Sequence, residues 1–214
     1  MRKATFSGGL NKRLTPNPSP KEREKLTKSF YQRDDVVMIA KELLGKHLFT
    51  HFDGKLTGGI ITETEAYAGV VDRASHAFGG RRTQRTEIMY TEGGTAYVYL
   101  CYGVHSLFNV VSNKKDVPHA ILIRALYPTH GVETILKRRK MKALNNKVSG
   151  GPGTVSQALG IHYSHTGLSL QSAKIWIEDR KFIVDPNKII VGKRVGVEYA
   201  GEDAKLPYRF ILKL

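Results

Sequence analysis

Cysteine is almost absent. Cys101 is the only one in 214 residues, so no disulfide can form within the chain, and a reducing compartment such as the cytoplasm is expected. His and Cys nowhere gather at zinc-ligand spacing, so no metal is expected. No apolar run approaches the roughly 20 residues that span a bilayer, so no membrane partner is expected either. Met1, Arg2 and Lys3 lead into polar sequence without the apolar centre of a secretory signal. Nucleotide signatures are missing too. No GxGxxG follows a strand, and Gly150-Gly151-Pro152-Gly153 is not continued by the Lys and Ser/Thr of a phosphate-binding loop. There is no GxSxG elbow. These absences argue against dinucleotide, P-loop and serine-hydrolase chemistry, and no cofactor is expected.

Acidic residues are also scarce. Nineteen Asp and Glu face 34 Lys and Arg, a formal charge of +15. Such an excess attracts polyanions: DNA, RNA or an anionic surface. Residues 1–25 hold seven Lys/Arg and two Glu, or +5, which leaves 15 − 5 = +10 for the remainder. The run Thr15-Pro16-Asn17-Pro18-Ser19-Pro20 lacks backbone donors at each Pro, and charged residues follow it. Residues 1–26 are therefore expected to be a disordered basic arm, and 27–214 a single folded domain.

Within that domain, Asp34 or Asp35 is placed to cap a helix with Val36, Val37, Ala40, Leu43 and Leu44 on one face, ended by Gly45. Strands are expected at 47–52 and 59–64 around the Asp53-Gly54 turn, then at 96–101, 107–112 and 120–126. A long polar loop separates the second from the third, Ala68 to Arg85. A basic helix at 132–144, a short helix ending near Gly160, and strands at 175–178, 189–197 and 207–212 follow. The predicted class is α+β: one domain around an antiparallel, barrel-like sheet with flanking helices and a protruding hairpin.

Several residues break these patterns. Glu63 and Glu65 lie at a strand end, where Glu is a poor strand former. A solvated edge is one explanation; a catalytic pair where a rigid strand hands over to a loop is the other. His76 sits in the polar loop. Tyr97 and Tyr99 share a strand face, and Tyr102 starts the turn. Such aromatics are ordinary in strands, yet beside a basic surface they also suit base stacking and duplex wedging. Asn109 and Arg124 interrupt apolar strands and need partners there.

Taken in order, these residues resemble the 3-methyladenine (alkyladenine) DNA glycosylase family. The match rests on Glu63-Thr64-Glu65-Ala66-Tyr67, on Ser75-His76 with Gly79-Gly80-Arg81, Arg82 and Thr83, and on Tyr97-Val98-Tyr99-Leu100-Cys101-Tyr102-Gly103 with Asn109-Val110. Leu122 to Pro128, Gly151-Pro152-Gly153, Arg194 to Val197 and Pro207 to Phe210 extend it, over about residues 28–212. His105 and Thr154 depart from residues found in some relatives at the DNA surface. The resemblance implies a monofunctional enzyme that flips and hydrolytically removes alkylated purines from duplex DNA: 3-methyladenine and 7-methylguanine, with hypoxanthine and ethenoadenine as further candidates. Glu65 would be the general base. Tyr67, His76, Tyr99 and Asn109 would line the base pocket, with Asn109 hindering guanine. Tyr102 would fill the gap left in the duplex. Arg124 would contact backbone phosphate or steady the flipped nucleotide, and Arg81 and Arg85 would contact backbone. It further implies a monomer acting on damaged double-stranded DNA, near the nucleoid in a prokaryote or in the nucleus of a eukaryote. A non-catalytic nucleic-acid binder and an RNA-modifying enzyme are the rival readings; formation of abasic sites separates the first, dependence on the 2′-OH the second.

Overall fold

Asp53 and Gly54 both adopt positive φ, 52° and 67°, which is the two-residue turn that matches the twist of antiparallel strands. It joins β2 (His47–Phe52) to β3 (Lys55–Tyr67), the longest strand. In a computed structural model that describes residues 24–214, β3 is the spine of the sheet. One of its edges runs along β6 (His119–His130). The other pairs first with β2 and then, at Glu63 to Glu65, with β9 (Arg209–Leu212). The path β1-β7-β2-β3-β6-β5-β4 is completed by β1 (Glu24–Lys25), β4 (Thr95–Cys101), β5 (His105–Ser112) and β7 (Ile175–Asp179), while β8 (Ile189–Gly192) pairs with β9. Every pairing is antiparallel. The curled sheet in one α+β domain is the predicted architecture.

Among the described residues five short α-helices flank it: α1 (Lys28–Tyr31), α2 (Val36–Glu42), α3 (Val132–Arg138), α4 (Asn146–Ser149) and α5 (Pro152–Leu159). Asp35 caps α2 by accepting from Met38 N at 2.8 Å. On the other side, Thr64 Oγ1 donates to Ala40 O at 2.7 Å, pinning α2 against β3. The core fills the space between helices and sheet with Ile39, Leu43, Leu48, Ile61, Phe108, Ile121, Ile123 and Leu126, all fully buried.

The structure departs from expectation in three places. The arm cannot extend to residue 26. Glu24–Lys25 pair with β7, Leu26 N donates to Ile177 O at 2.9 Å, and the Leu26 side chain is buried in the core. Residues 1–23 lie outside the described residues. Helix α3 ends at Arg138 rather than near 144, because the chain turns at Lys140 (φ 50°) and Arg139 is drawn to the carbonyls of Lys147 and Val148. Finally, β8 stops at Gly192 rather than running to 197. Arg194, just beyond its end, turns inward to a buried ion pair with Asp72.

Candidate active site

The register of the sheet assembles the site. Tyr97 stands opposite Asn109, Asn109 opposite Leu122, Leu122 opposite Glu65, and Glu65 opposite Arg209. Directly opposed residues point to the same side, so this row crosses five strands on one face. Tyr99 and Tyr67, each two residues from a member of the row, share that face. Two irregularities in the β3–β6 ladder set the charge. Ile61 pairs with Leu126 and Glu63 with Ala125, leaving Thr62 extra; Thr64 pairs with Ile123, leaving Arg124 extra. Bulges of this kind re-aim side chains next to functional sites. Here they bring the Arg124 guanidinium between the two carboxylates.

The result is a buried charge cluster. Arg124 Nε lies 2.9 Å from Glu63 Oε1 and 3.3 Å from Glu65 Oε1. Arg209 Nε reaches the same Glu63 oxygen at 2.7 Å. Glu65 is 0% exposed, and the solvated-edge explanation is therefore overturned for both carboxylates. Its Oε1 accepts from Val195 N at 2.8 Å and its Oε2 from Tyr67 Oη at 2.9 Å. Burial raises the Glu65 pKa above the usual carboxylate range; Arg124, the Val195 N–H and Tyr67 pull the other way without cancelling it, and Glu63 adds to the rise. A carboxylate so poised, in so polar a buried cluster, is a candidate functional group.

Above it opens a cavity of about 410 Å³, lined by Tyr67, His76, Tyr97, Tyr99, Asn109 and Arg124 among others. That size suits a small-molecule or base pocket. Glu65 itself does not line the cavity; it lies sealed behind three residues that do, Tyr67, Arg124 and Val195. The His76 ring meets Tyr99 edge-on at 4.7 Å, and its Nδ1 is 2.8 Å from Tyr97 Oη. Burial, reinforced by Arg85 and Arg81, lowers the His76 pKa to about 4, so the ring is neutral near pH 7. Asn109 spends both amide protons on backbone, donating to Tyr97 O and Leu107 O at 3.2 Å each. It braces the hairpin and walls the cavity at once.

That hairpin, β4 and β5, carries an apolar tip in solvent. Tyr102 is 94% exposed, with φ 51°, and Val104 is exposed beside it. Arg85 lies with its guanidinium 4.8 Å from the Tyr99 ring centre and Arg81 is exposed in the same loop. Arg124 does not stand on the surface. It is held by two carboxylates in the cavity wall. Thr154 is turned to capping α5, through bonds with Gly151 N and O. Among the described residues no group of His, Cys, Asp and Glu could hold a metal ion, and no helix is long and apolar enough to cross a membrane.

A profile of the methylpurine-DNA glycosylase family matches residues 29–214. The chain belongs to that family. A relative from Chlamydia abortus is 46% identical over 190 residues, covering 88% of this chain and 98% of its own length. Others from Clostridium perfringens (42% over 197 residues, 88% and 96%) and Bacillus cereus (43% over 193 residues, 86% and 94%) are similarly complete. All three carry the name "Putative 3-methyladenine DNA glycosylase". Membership makes the chain a DNA glycosylase, a hydrolase of N-glycosyl bonds, and gives it DNA as its substrate.

What sequence reasoning misses in the candidate site is its outer frame. Arg209, Asp72 and the Val195 N–H were assigned no roles. Asp72 stood in the functional loop and Arg194 in the matched C-terminal block, so both were visible, but nothing local joins residues 122 positions apart.

Proposed function

We propose that the enzyme removes 3-methylated adenine and related alkylated purines from duplex DNA by flipping the damaged nucleotide and adding water to its sugar, leaving an abasic site. The observation that carries this reading is the fully buried, charge-poised Glu65 directly behind an aromatic cavity. The bond to be cut is unreachable inside a duplex, so the nucleotide must swing out, at a few kcal/mol of lost stacking and pairing. The exposed Tyr102 tip is suited to hold the gap. In the cavity, Tyr67, Tyr99 and neutral His76 present faces and an edge to the base. A methylated purine is cationic, and aromatic faces favour an electron-poor ring.

Breaking the bond neutralises that purine, so little acid catalysis is needed, and positive charge develops on the sugar. Glu65 stabilises it electrostatically and takes the proton of the incoming water. Because Glu65 is sealed at rest, nucleotide entry must part Tyr67, Arg124 or Val195 before water reaches it. No lysine stands in the site's lining, so the reaction ends at base release without a Schiff-base lyase step. The test is a duplex oligonucleotide bearing one 7-methylguanine, incubated with enzyme and then treated with alkali. Alkali-dependent scission above that of the same duplex without enzyme is expected; scission without alkali, or none above that control, contradicts the proposal.

A further inference from the structure

Arg194 and Asp72 form the most deeply buried ion pair among the described residues, and the glycosylase chemistry above makes no use of it. Neither side chain is more than 2% exposed. The guanidinium binds both Asp72 oxygens and donates to Ala66 O at 2.9 Å and Asp203 O at 3.0 Å. The rings of Tyr67 and Tyr208 lie 4.9 and 5.3 Å from it. Asp72 in turn accepts from Ala68 N at 2.9 Å and Ala74 N at 3.0 Å. One pair thus ties together the end of β3, the loop that carries His76, and the segment after β8. Stability alone does not account for it, because apolar residues of similar volume often serve as well as a buried ion pair.

The next residue explains the placement. Val195 N–H donates to Glu65 Oε1 at 2.8 Å. Since β8 ends at Gly192, this segment has no strand partner to fix that N–H in space. We propose that Arg194 and Asp72 are positioning residues for base excision: their ion pair locks residues 194–197 so that the Val195 N–H stays on Glu65. The proposal rests on Glu65 being the catalytic carboxylate. Around that carboxylate stand Glu63 and Tyr67 from β3, Arg124 from β6, Arg209 (through Glu63) from β9, and Arg194 itself. Among them the Val195 N–H is the one contact that can be lost without deleting a neighbouring side chain. Losing it removes a donor from the ionised form, which is the form that works.

The sign follows. Without the N–H, Glu65 protonates more readily, so the acid limb of the excision profile moves to higher pH. A hydrogen bond to a charged group is worth enough to move the limb by about one pH unit. The variant to use is the double Asp72→Leu, Arg194→Met, which leaves no orphan charge. The double Asp72→Asn, Arg194→Gln, which keeps the sizes and likewise leaves no orphan charge, is the second variant and should move the limb the same way by less. Single-turnover release of 7-methylguanine from a duplex oligonucleotide is measured from pH 5 to 9, beside lesion-duplex affinity, melting temperature and a Glu65→Gln control. Expected are a folded protein, unchanged affinity, and an acid limb raised so that the rate falls by up to about tenfold on that limb and recovers at high pH. A folded variant with a wild-type limb and rate would overturn the positioning role alone. Undiminished excision by Glu65→Gln would overturn the catalytic reading, and the positioning role with it.

Discussion

Glu63 and Glu65 carry the same group two residues apart, yet their surroundings differ. Two guanidinium Nε atoms clamp Glu63 at 2.9 and 2.7 Å. Glu65 is held less closely by Arg124, 3.3 Å from the shared Nε and 3.4 Å from Nη1, and relies on one amide and one phenol for the rest. Glu63 therefore acts as counter-ion and Glu65 as the less compensated charge. The sequence could place the pair at a strand end but could not tell buried from solvated, because both arginines arrive from strands 59 or more residues away. Asn109 was legible as a polar break in an apolar strand, although its bonds to Tyr97 O and Leu107 O were not. Shortening it removes a wall and two bonds together. Asn109→Ser should release guanine from undamaged DNA faster than wild type and melt a little lower, since each such bond is worth about 1 kcal/mol. Guanine release at the wild-type rate would remove Asn109 from the gate.

At the scale of elements, the hairpin of β4 and β5 divides its work between base and tip. Its base packs Val98, Phe108 and Val110 into the core, whereas Tyr102 and Val104 contribute nothing to it. Tyr102→Ala should therefore leave the melting temperature within a degree or two while weakening lesion binding, by about 1–3 kcal/mol on the scale of base–aromatic stacking. Binding assays against thermal melts check this; a collapsed melt with intact binding would place the wedge elsewhere. The hairpin was readable because two alternating runs flank a short turn. The short α3 and the truncated β8 were not, because long-range partners end them: backbone carbonyls of 147 and 148 for Arg139, and Asp72 for Arg194.

At the scale of the molecule, charge governs two behaviours. The +10 outside residues 1–25 should make binding to undamaged DNA a matter of phosphate contacts, with log affinity falling linearly and steeply against log salt. A flat plot would contradict that. Stability against pH is set by buried histidines. Burial, chiefly, holds the folded pKa of both His47 and His76 at about 4, against 6.5 in the unfolded chain. Between those values the unfolded state binds more protons, so stability should fall as pH drops from about 6.5 towards 4. The raised Glu65 carboxyl opposes this in part. Melting temperature across that window checks the sign, and His47→Leu should flatten the curve; a wild-type melt independent of pH there would contradict it.

The most direct measurement is single-turnover excision of one 7-methylguanine by Glu65→Gln, run beside affinity for the same duplex. The side chains are nearly isosteric, so packing and binding should hold. The amide takes no proton from water and offers the developing sugar cation no negative charge, and both losses fall on the transition state. A rate reduced at least 10²- to 10⁴-fold with undiminished affinity is expected. Excision at the wild-type rate would contradict the assignment of Glu65 and, with it, the reading of the cavity as the site of base removal.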